Sequence, residues 1–87
     1  MDAWKFVLLA KSVVVNHVNA HPEENNVNYI DTEEVDIVWM HQKDTTSRAI
    51  LTVIPPNDVL YEVVYNDEKK EATVDIYKKS AAACVKF

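Results

Sequence analysis

The sequence predicts an α+β fold in which an N-terminal helix packs on a four-stranded antiparallel meander. Three observations support this fold: an amphipathic segment opens the chain, four short β-rich runs follow it, and only roughly four to six residues separate those runs. Parallel strands need a crossover of about a dozen residues or more, so these connections favour hairpins. The chain has 87 residues, enough for one domain and too few for two, and we expect a single domain over residues 1–87.

The first predicted element is a helix that runs to about Asn19 or Ala20. Asp2 can cap its first turn, because an aspartate side chain accepts hydrogen bonds from free backbone N–H groups. His21 precedes Pro22, and the residue before a proline is biased out of helical geometry. The helix should therefore end at this point.

Apolar side chains cover more of this helix than one sheet contact needs. One stripe, which should face the sheet, is formed by Ala3, Val7, Ala10, Val14 and Val18. Phe6, Leu9 and Val13 lie beside this stripe, and another segment or another protein should shield them from water. Ser80 could cap a short C-terminal helix over residues 81–85, with Phe87 as an anchor, and this segment is one candidate; a partner protein is the other.

A polar loop over residues 22–28 and an acidic approach over residues 31–34 lead to the sheet. The four predicted strands are Val35 to Gln42, Arg48 to Ile54, Val59 to Tyr65, and Ala72 to Lys78. Alternation assigns twelve residues to the face beneath the helix: Val35, Ile37, Trp39, Ala49, Leu51, Val53, Tyr61, Val63, Tyr65, Ala72, Val74 and Ile76.

The opposite face is too apolar for a surface in contact with water alone. It carries polar residues such as Asp36, Arg48, Thr52 and Thr73, yet one helix cannot cover both faces of a sheet. We therefore predict that a partner binds this second face. The predicted partner-binding residues are Val38, Met40, Ile50, Ile54, Leu60, Glu62, Val64, Asp75 and Tyr77.

Charge and cysteine content limit the environment and the partners. Fourteen acidic and nine basic residues give a net charge of −5, which disfavours nucleic acids and anionic membranes and favours a basic partner. The apolar run near the start is too short to span a bilayer and lacks the features of a signal peptide, so we expect a cytoplasmic protein. Cys84 is the only cysteine and cannot form an internal disulfide.

The chain contains no glycine, and this excludes several kinds of active site. The P-loop, the dinucleotide fingerprint and the nucleophile elbow all need glycine for close backbone approach or for strained dihedral angles. No serine, histidine and acid stand in a spacing typical of a triad, and the paired carboxylates fall in predicted loops. We predict no catalytic residue, no cofactor and no enzymatic activity. The turns should instead use Asn, Asp and Pro.

Two histidines near the helix end form a candidate zinc site. His17 and His21 are four residues apart, and Glu23 or Glu24 could add a carboxylate. Histidines in a last helical turn also interact favourably with the helix dipole without any metal, and we favour that interpretation. The prediction is therefore that no metal is bound.

Three segments carry a resemblance to a known family. They are the Val-Asp-Ile-Val-Trp run at 35–39, the Tyr-Glu-Val-Val-Tyr-Asn run at 61–66, and the Asp-Ile-Tyr-Lys-Lys run at 75–79. Together they resemble a family of uncharacterised small proteins from phages and prophages of Gram-positive bacteria, over nearly the whole chain. Relatives often carry glycine in the last hairpin turn, where this chain has Asn-Asp-Glu-Lys at 66–69. The resemblance implies no catalytic residues.

These observations leave three functions open. The leading prediction is a non-enzymatic interaction protein, which in the phage setting that the resemblance implies would bind and inhibit a host protein. A structural homodimer that pairs the second sheet face is one alternative. The other is a ligand-binding or enzymatic domain with a site between helix and sheet, near Trp39, His41, Tyr61 and Tyr65.

Overall fold

An N-terminal helix lies across one face of a four-stranded antiparallel sheet in the computed structural model, which describes residues 2–25, 29–54 and 57–78. The helices are α1 (Ala3–Ala20) and the short α2 (Pro22–Asn25), and one 3-10 turn follows at Thr32–Glu34. The strands are β1 (Val35–Lys43), β2 (Thr46–Val53), β3 (Val59–Asn66) and β4 (Glu71–Lys78). The predicted α+β meander is confirmed. The possible short C-terminal helix over residues 81–85, with its cap Ser80 and the anchor Phe87, lies outside the described residues.

Helix α1 begins and ends where its capping residues predict. The Asp2 carboxylate accepts a hydrogen bond of 2.9 Å from the Lys5 backbone N–H. At the other end His21 leaves helical geometry, and its N–H donates to the carbonyl of His17 at 3.1 Å. Pro22 then opens α2 within the predicted loop, since proline suits a first helical position. Within the described ranges, neither helix is long and apolar enough to cross a membrane.

The buried face of α1 differs from the predicted stripe at its N-terminal end. Phe6, Ala10, Val14 and Val18 are fully buried, so burial follows one row of residues four apart. Ala3 is exposed and Val7 is half-buried, which corrects their assignment to the stripe. The row of residues four apart that contains Ala10, Val14 and Val18 continues back to Phe6, whereas Ala3 and Val7 lie beside this row. Phe6 therefore belongs to the core cluster.

The sheet has the order β1-β2-β3-β4, and every pair of neighbours is antiparallel. A β-bulge interrupts the first pair: Ile37 pairs with Leu51 and Trp39 with Ile50, so Val38 is an extra residue. One extra residue reverses the side-chain alternation that follows it. The predicted faces of two residues are therefore wrong: Trp39 lies on the face away from α1, and Met40 packs against the core.

The core lies between α1 and the two central strands. Five of their side chains are fully shielded from solvent: Ala49, Leu51, Val53, Tyr61 and Val63. The edge strand β4 is less well covered, because Val74 and Ile76 are half-buried and Ala72 is exposed on the same face. Ala72 therefore lies on the predicted face but is not buried there. The core thins towards this edge.

A pair of hydrogen bonds fastens the end of α1 to the segment before the sheet. The Asn19 amide donates to the Ile30 carbonyl at 3.0 Å and accepts from the Ile30 N–H at 2.9 Å. Ile30 is itself buried. Asn19 thus provides hydrogen-bond partners for both backbone groups of a residue eleven positions away. The sequence pattern of the helix does not indicate this role.

We expect Asn19→Ala to lower the free energy of unfolding by about 1–3 kcal/mol, because both polar groups of the buried Ile30 backbone lose their partner. Asn16→Ala is the matched control, since Asn16 is exposed on the same helix. Urea denaturation followed by circular dichroism measures both. Equal losses in the two variants would contradict the proposed role of Asn19.

The turns are formed without glycine, as predicted. Among the described residues, three have positive φ angles near the left-handed region: Asp44 at 55°, Asp58 at 60° and Lys70 at 57°. Aspartate tolerates this conformation better than most residues. In the last hairpin Asn66 accepts hydrogen bonds of 3.0 Å from the backbone N–H groups of Glu68 and Lys69, which stabilises the turn.

Candidate functional site on the outer face of the sheet

The face of the sheet turned away from α1, called the outer face below, holds most of the predicted partner-binding residues. Register places six of them there: Ile50, Leu60, Glu62, Val64, Asp75 and Tyr77. Val38 is exposed in the bulge, and Ile54 is exposed just beyond β2. Met40 is the exception, because the bulge turns it towards the core. Trp39 takes a position on the outer face that alternation did not predict.

Large apolar side chains stand exposed on this face. Leu60 and Tyr77 are directly opposite each other on β3 and β4, and they are 44% and 55% exposed. Trp39, opposite Ile50, is 45% exposed. The cross-strand pairs Leu60–Tyr77 and Trp39–Ile50 therefore present apolar groups to solvent. Each pair joins a central strand to an edge strand of the sheet. Such a surface resembles the apolar core of a protein interface.

Glu62 connects three strands through polar contacts. The Tyr77 hydroxyl donates to its Oε1 at 3.4 Å, and the Arg48 Nε lies 4.0 Å from its Oε2. The charge of Glu62 is the largest influence on the Tyr77 phenol and raises its pKa, with smaller contributions from desolvation and from Asp75. A carboxylate therefore sits close to the apolar pair of β3 and β4.

We expect Glu62→Gln to lower the pKa of Tyr77 towards its usual value of 10.0, because the neighbouring negative charge disappears. Tyr61 has a raised pKa for another reason, desolvation by burial, and should not respond. NMR titration with ring-labelled tyrosine resolves the two residues. A Tyr77 titration unchanged in this variant would show that the two side chains do not interact in solution.

The raised pKa values of Tyr61 and Tyr77 should make the stability fall at alkaline pH. A raised pKa means that the folded state holds the phenolic proton more tightly than the unfolded chain. The stabilisation is fully present below the unfolded pKa of about 10 and is lost as the pH rises through the folded pKa. The buried Tyr61 should dominate this loss.

The half of the outer face formed by β3 and β4 is acidic. Glu62 and Asp75 are direct cross-strand partners. Glu71 lies on the same face of β4, four residues before Asp75. The outward positions of these two strands include no lysine or arginine. Like charges directly opposite each other in a sheet are destabilising, so this arrangement is not explained by stability.

The β1–β2 hairpin gives the opposite corner of the outer face a different character. The rings of Trp39 and His41 are nearly parallel, at 11°, with their centroids 6.0 Å apart. His41 pairs with Arg48 across the hairpin, and Lys43 lies two residues further along β1. A concavity of about 460 Å³ opens between these side chains and the turn. This corner combines aromatic surface with positive charge.

The predicted ligand site between helix and sheet is not formed by the four residues assigned to it. Tyr61 and Tyr65 face the core, whereas Trp39 and His41 lie on the outer face, on the other side of the sheet. The Tyr61 hydroxyl accepts a hydrogen bond of 2.9 Å from the amide of the buried Asn57. Tyr61 therefore belongs to the packed interior. The position of Asn57 in the sequence, directly after two prolines, does not indicate this contact.

The paired histidines of α1 lie close together at the helix end. The ring centroids of His17 and His21 are 4.9 Å apart, and His17 also contacts the edge of the Tyr61 ring at 6.4 Å. Within residues 2–25, 29–54 and 57–78, no three His, Cys, Asp or Glu side chains converge as metal ligands would. The side chain of Glu24 lies outside what the structure describes. Aromatic packing accounts for the position of His17.

The fold defines a small α+β protein in which a helix covers one sheet face and the other face carries exposed apolar side chains. The chain belongs to the family of unknown function DUF6275, whose model matches residues 7–87. No curated protein and no solved structure matches it. The expected membership of an uncharacterised family, over nearly the whole chain, is thereby confirmed. The phage and Gram-positive setting stays a prediction.

Proposed function

We propose that this protein is a non-enzymatic interaction domain whose outer sheet face binds a basic surface of a partner protein. The observation that carries the proposal is the acidic cross-strand pair of Glu62 and Asp75 beside the exposed apolar pair of Leu60 and Tyr77. The apolar side chains would supply buried area, and the carboxylates would select a cationic partner. The net charge of −5 would steer such a partner from a distance.

The same charges argue against self-association through this face. In a two-fold symmetric dimer whose axis passes close to Glu62 and Asp75, this acidic pair would approach its own copy. Desolvating like charges against each other is unfavourable, whereas a lysine or arginine from a different protein would neutralise them. A basic partner therefore fits the patch better than a second copy.

The setting of this interaction follows from the resemblance of the strand segments to phage and prophage proteins. We propose an accessory protein, working in the cytoplasm, that binds and inhibits a host protein such as a nucleic-acid enzyme with a basic groove. The absence of glycine supports a binding role, because the common phosphate-binding loops cannot be built.

The test is affinity capture with matched variants. The chain is immobilised, proteins are captured from a lysate of a host that carries the gene, and the captured protein is purified and titrated. Glu62→Gln with Asp75→Asn should weaken binding about tenfold or more, because two interfacial charges are lost. Glu23→Gln with Glu33→Gln is the control, since both carboxylates are exposed elsewhere and the net charge changes equally.

Two results would contradict the proposal. If both double variants weaken binding equally, only the overall charge matters and the outer face is not the site. If sedimentation shows a dimer of the chain that the outer-face variant dissociates, the homodimer alternative is correct instead. We expect a monomer in the absence of the partner.

A further inference from the structure

The concavity beside the β1–β2 hairpin has the size of a ligand site. Its volume of about 460 Å³ falls within the range of roughly 300–1,000 Å³ that is common for small-molecule pockets. Strands β1 and β2 form its floor, and the turn at Asp44 and Thr45 forms one wall. It lies at the corner of the outer face opposite the acidic half.

Aromatic rings form one side of this concavity. Trp39 and His41 are nearly parallel, and both are exposed rather than packed beneath other side chains. The bulge at Val38 is the reason, because it turns Trp39 away from the core. Flat exposed rings of this kind bind planar ligands by stacking, whatever the pattern of polar groups on the ligand.

Positive charge forms the other side. Arg48 and Lys43 line the concavity, with Asp44 as the one carboxylate among its lining residues. Arg48 is half exposed, and its single ion pair, to Glu62, is long at 4.0 Å. Its guanidinium therefore retains donors for a ligand, and the planar fork of arginine matches a carboxylate or phosphate. The local excess of positive charge contrasts with the net charge of −5.

We propose that this concavity binds a small planar aromatic anion. The ring stacks on Trp39 and His41, and the carboxylate or phosphate is held by Arg48 and Lys43. The site needs no glycine-rich loop, because side chains rather than backbone N–H groups hold the anion. It is separate from the proposed protein-binding function and does not depend on it.

Tryptophan fluorescence reports on the site directly. The chain has two tryptophans, so Trp4→Phe leaves Trp39 as the only tryptophan, and its emission can be excited selectively over that of the tyrosines. The probes are adenosine monophosphate and 2-naphthoate, which present the phosphate and the carboxylate forms of the ligand chemistry. Adenosine alone and inorganic phosphate alone are the half-ligand controls. We expect at least one of the anionic probes to quench the fluorescence saturably, and the half-ligands to quench it much less. The probe that binds more tightly shows whether the site prefers a phosphate or a carboxylate.

Variants locate the binding. Arg48→Gln should weaken binding of the better probe about tenfold, because one charge-assisted hydrogen bond is lost. Trp39→Ala should weaken binding of the same probe by a similar factor, and equilibrium dialysis measures this binding without fluorescence. Lys5→Gln removes the same charge from an exposed position on α1 and should have no effect.

Three outcomes would overturn the proposal: no saturable binding of either anionic probe, half-ligands that bind as well as the complete probes, or equal weakening by Arg48→Gln and Lys5→Gln. Circular dichroism checks that each variant is folded. Since the side chains of Arg48 and Trp39 both lie on the surface, folding should be retained.

Discussion

Replacing Phe6 with alanine should lower the free energy of unfolding by about 3–5 kcal/mol, the cost of removing a fully buried aromatic ring. Small domains have only about 5–15 kcal/mol in total, so the variant loses much of its stability. Alanine is the better helix former, and any intrinsic effect on α1 is therefore in the opposite direction. The loss reports packing of the ring against the sheet.

Trp4→Ala is the control for this experiment. Trp4 lies two residues away on the same helix and is 70% exposed, so its truncation should change stability by no more than about 0.5 kcal/mol. Urea denaturation of both variants decides between two positions of the helix on the sheet. A larger loss for Trp4 than for Phe6 would mean that α1 is rotated about its axis relative to the structure.

A second large effect is expected at the bulge. Met40→Asp should destabilise the protein by about 2–3 kcal/mol more than Trp39→Asp, because it brings a carboxylate against the core. The two variants lie in the same strand and introduce the same charged residue, and tryptophan has the higher β-propensity to lose. Their difference therefore depends on which side chain faces α1.

Thermal and urea denaturation measure this difference. Uninterrupted alternation along β1 would give the reverse order, with Trp39→Asp the more damaging change. Val38→Asp provides a further check, since Val38 is 61% exposed in the bulge and should tolerate the substitution. Similar losses in all three variants would show that the strand has no fixed register.

The bulge also marks the limit of what the sequence could predict about the sheet. The four strands were found within one or two residues at each end, because turn residues bound them and polar residues alternate with apolar ones. In β1 the run Ile37-Val38-Trp39-Met40 is apolar throughout. Such a run contains no polar residue to fix the alternation, so an inserted residue leaves no trace in the pattern.

The two candidate sites also differ in how far the sequence could predict them. The acidic and apolar outer face on β3 and β4 was predictable, because Glu62 and Asp75 fix the alternation of their strands. The basic corner was not, since it depends on Trp39 turning outward after the bulge. The bond between Asn57 and Tyr61 was also hidden, because a turn motif gives chain direction but not side-chain partners.

The strand order has a consequence for the speed of folding. Each strand pairs with its neighbour in the chain, and only two, five and four residues separate the successive strands. Closing such short loops costs little chain entropy, so each hairpin can form before distant segments meet. The long-range step is the docking of α1, whose contacts reach from the start of the chain to β4. Folding should therefore be fast for a protein rich in sheet, with the collapse of α1 onto preformed hairpins completing the core.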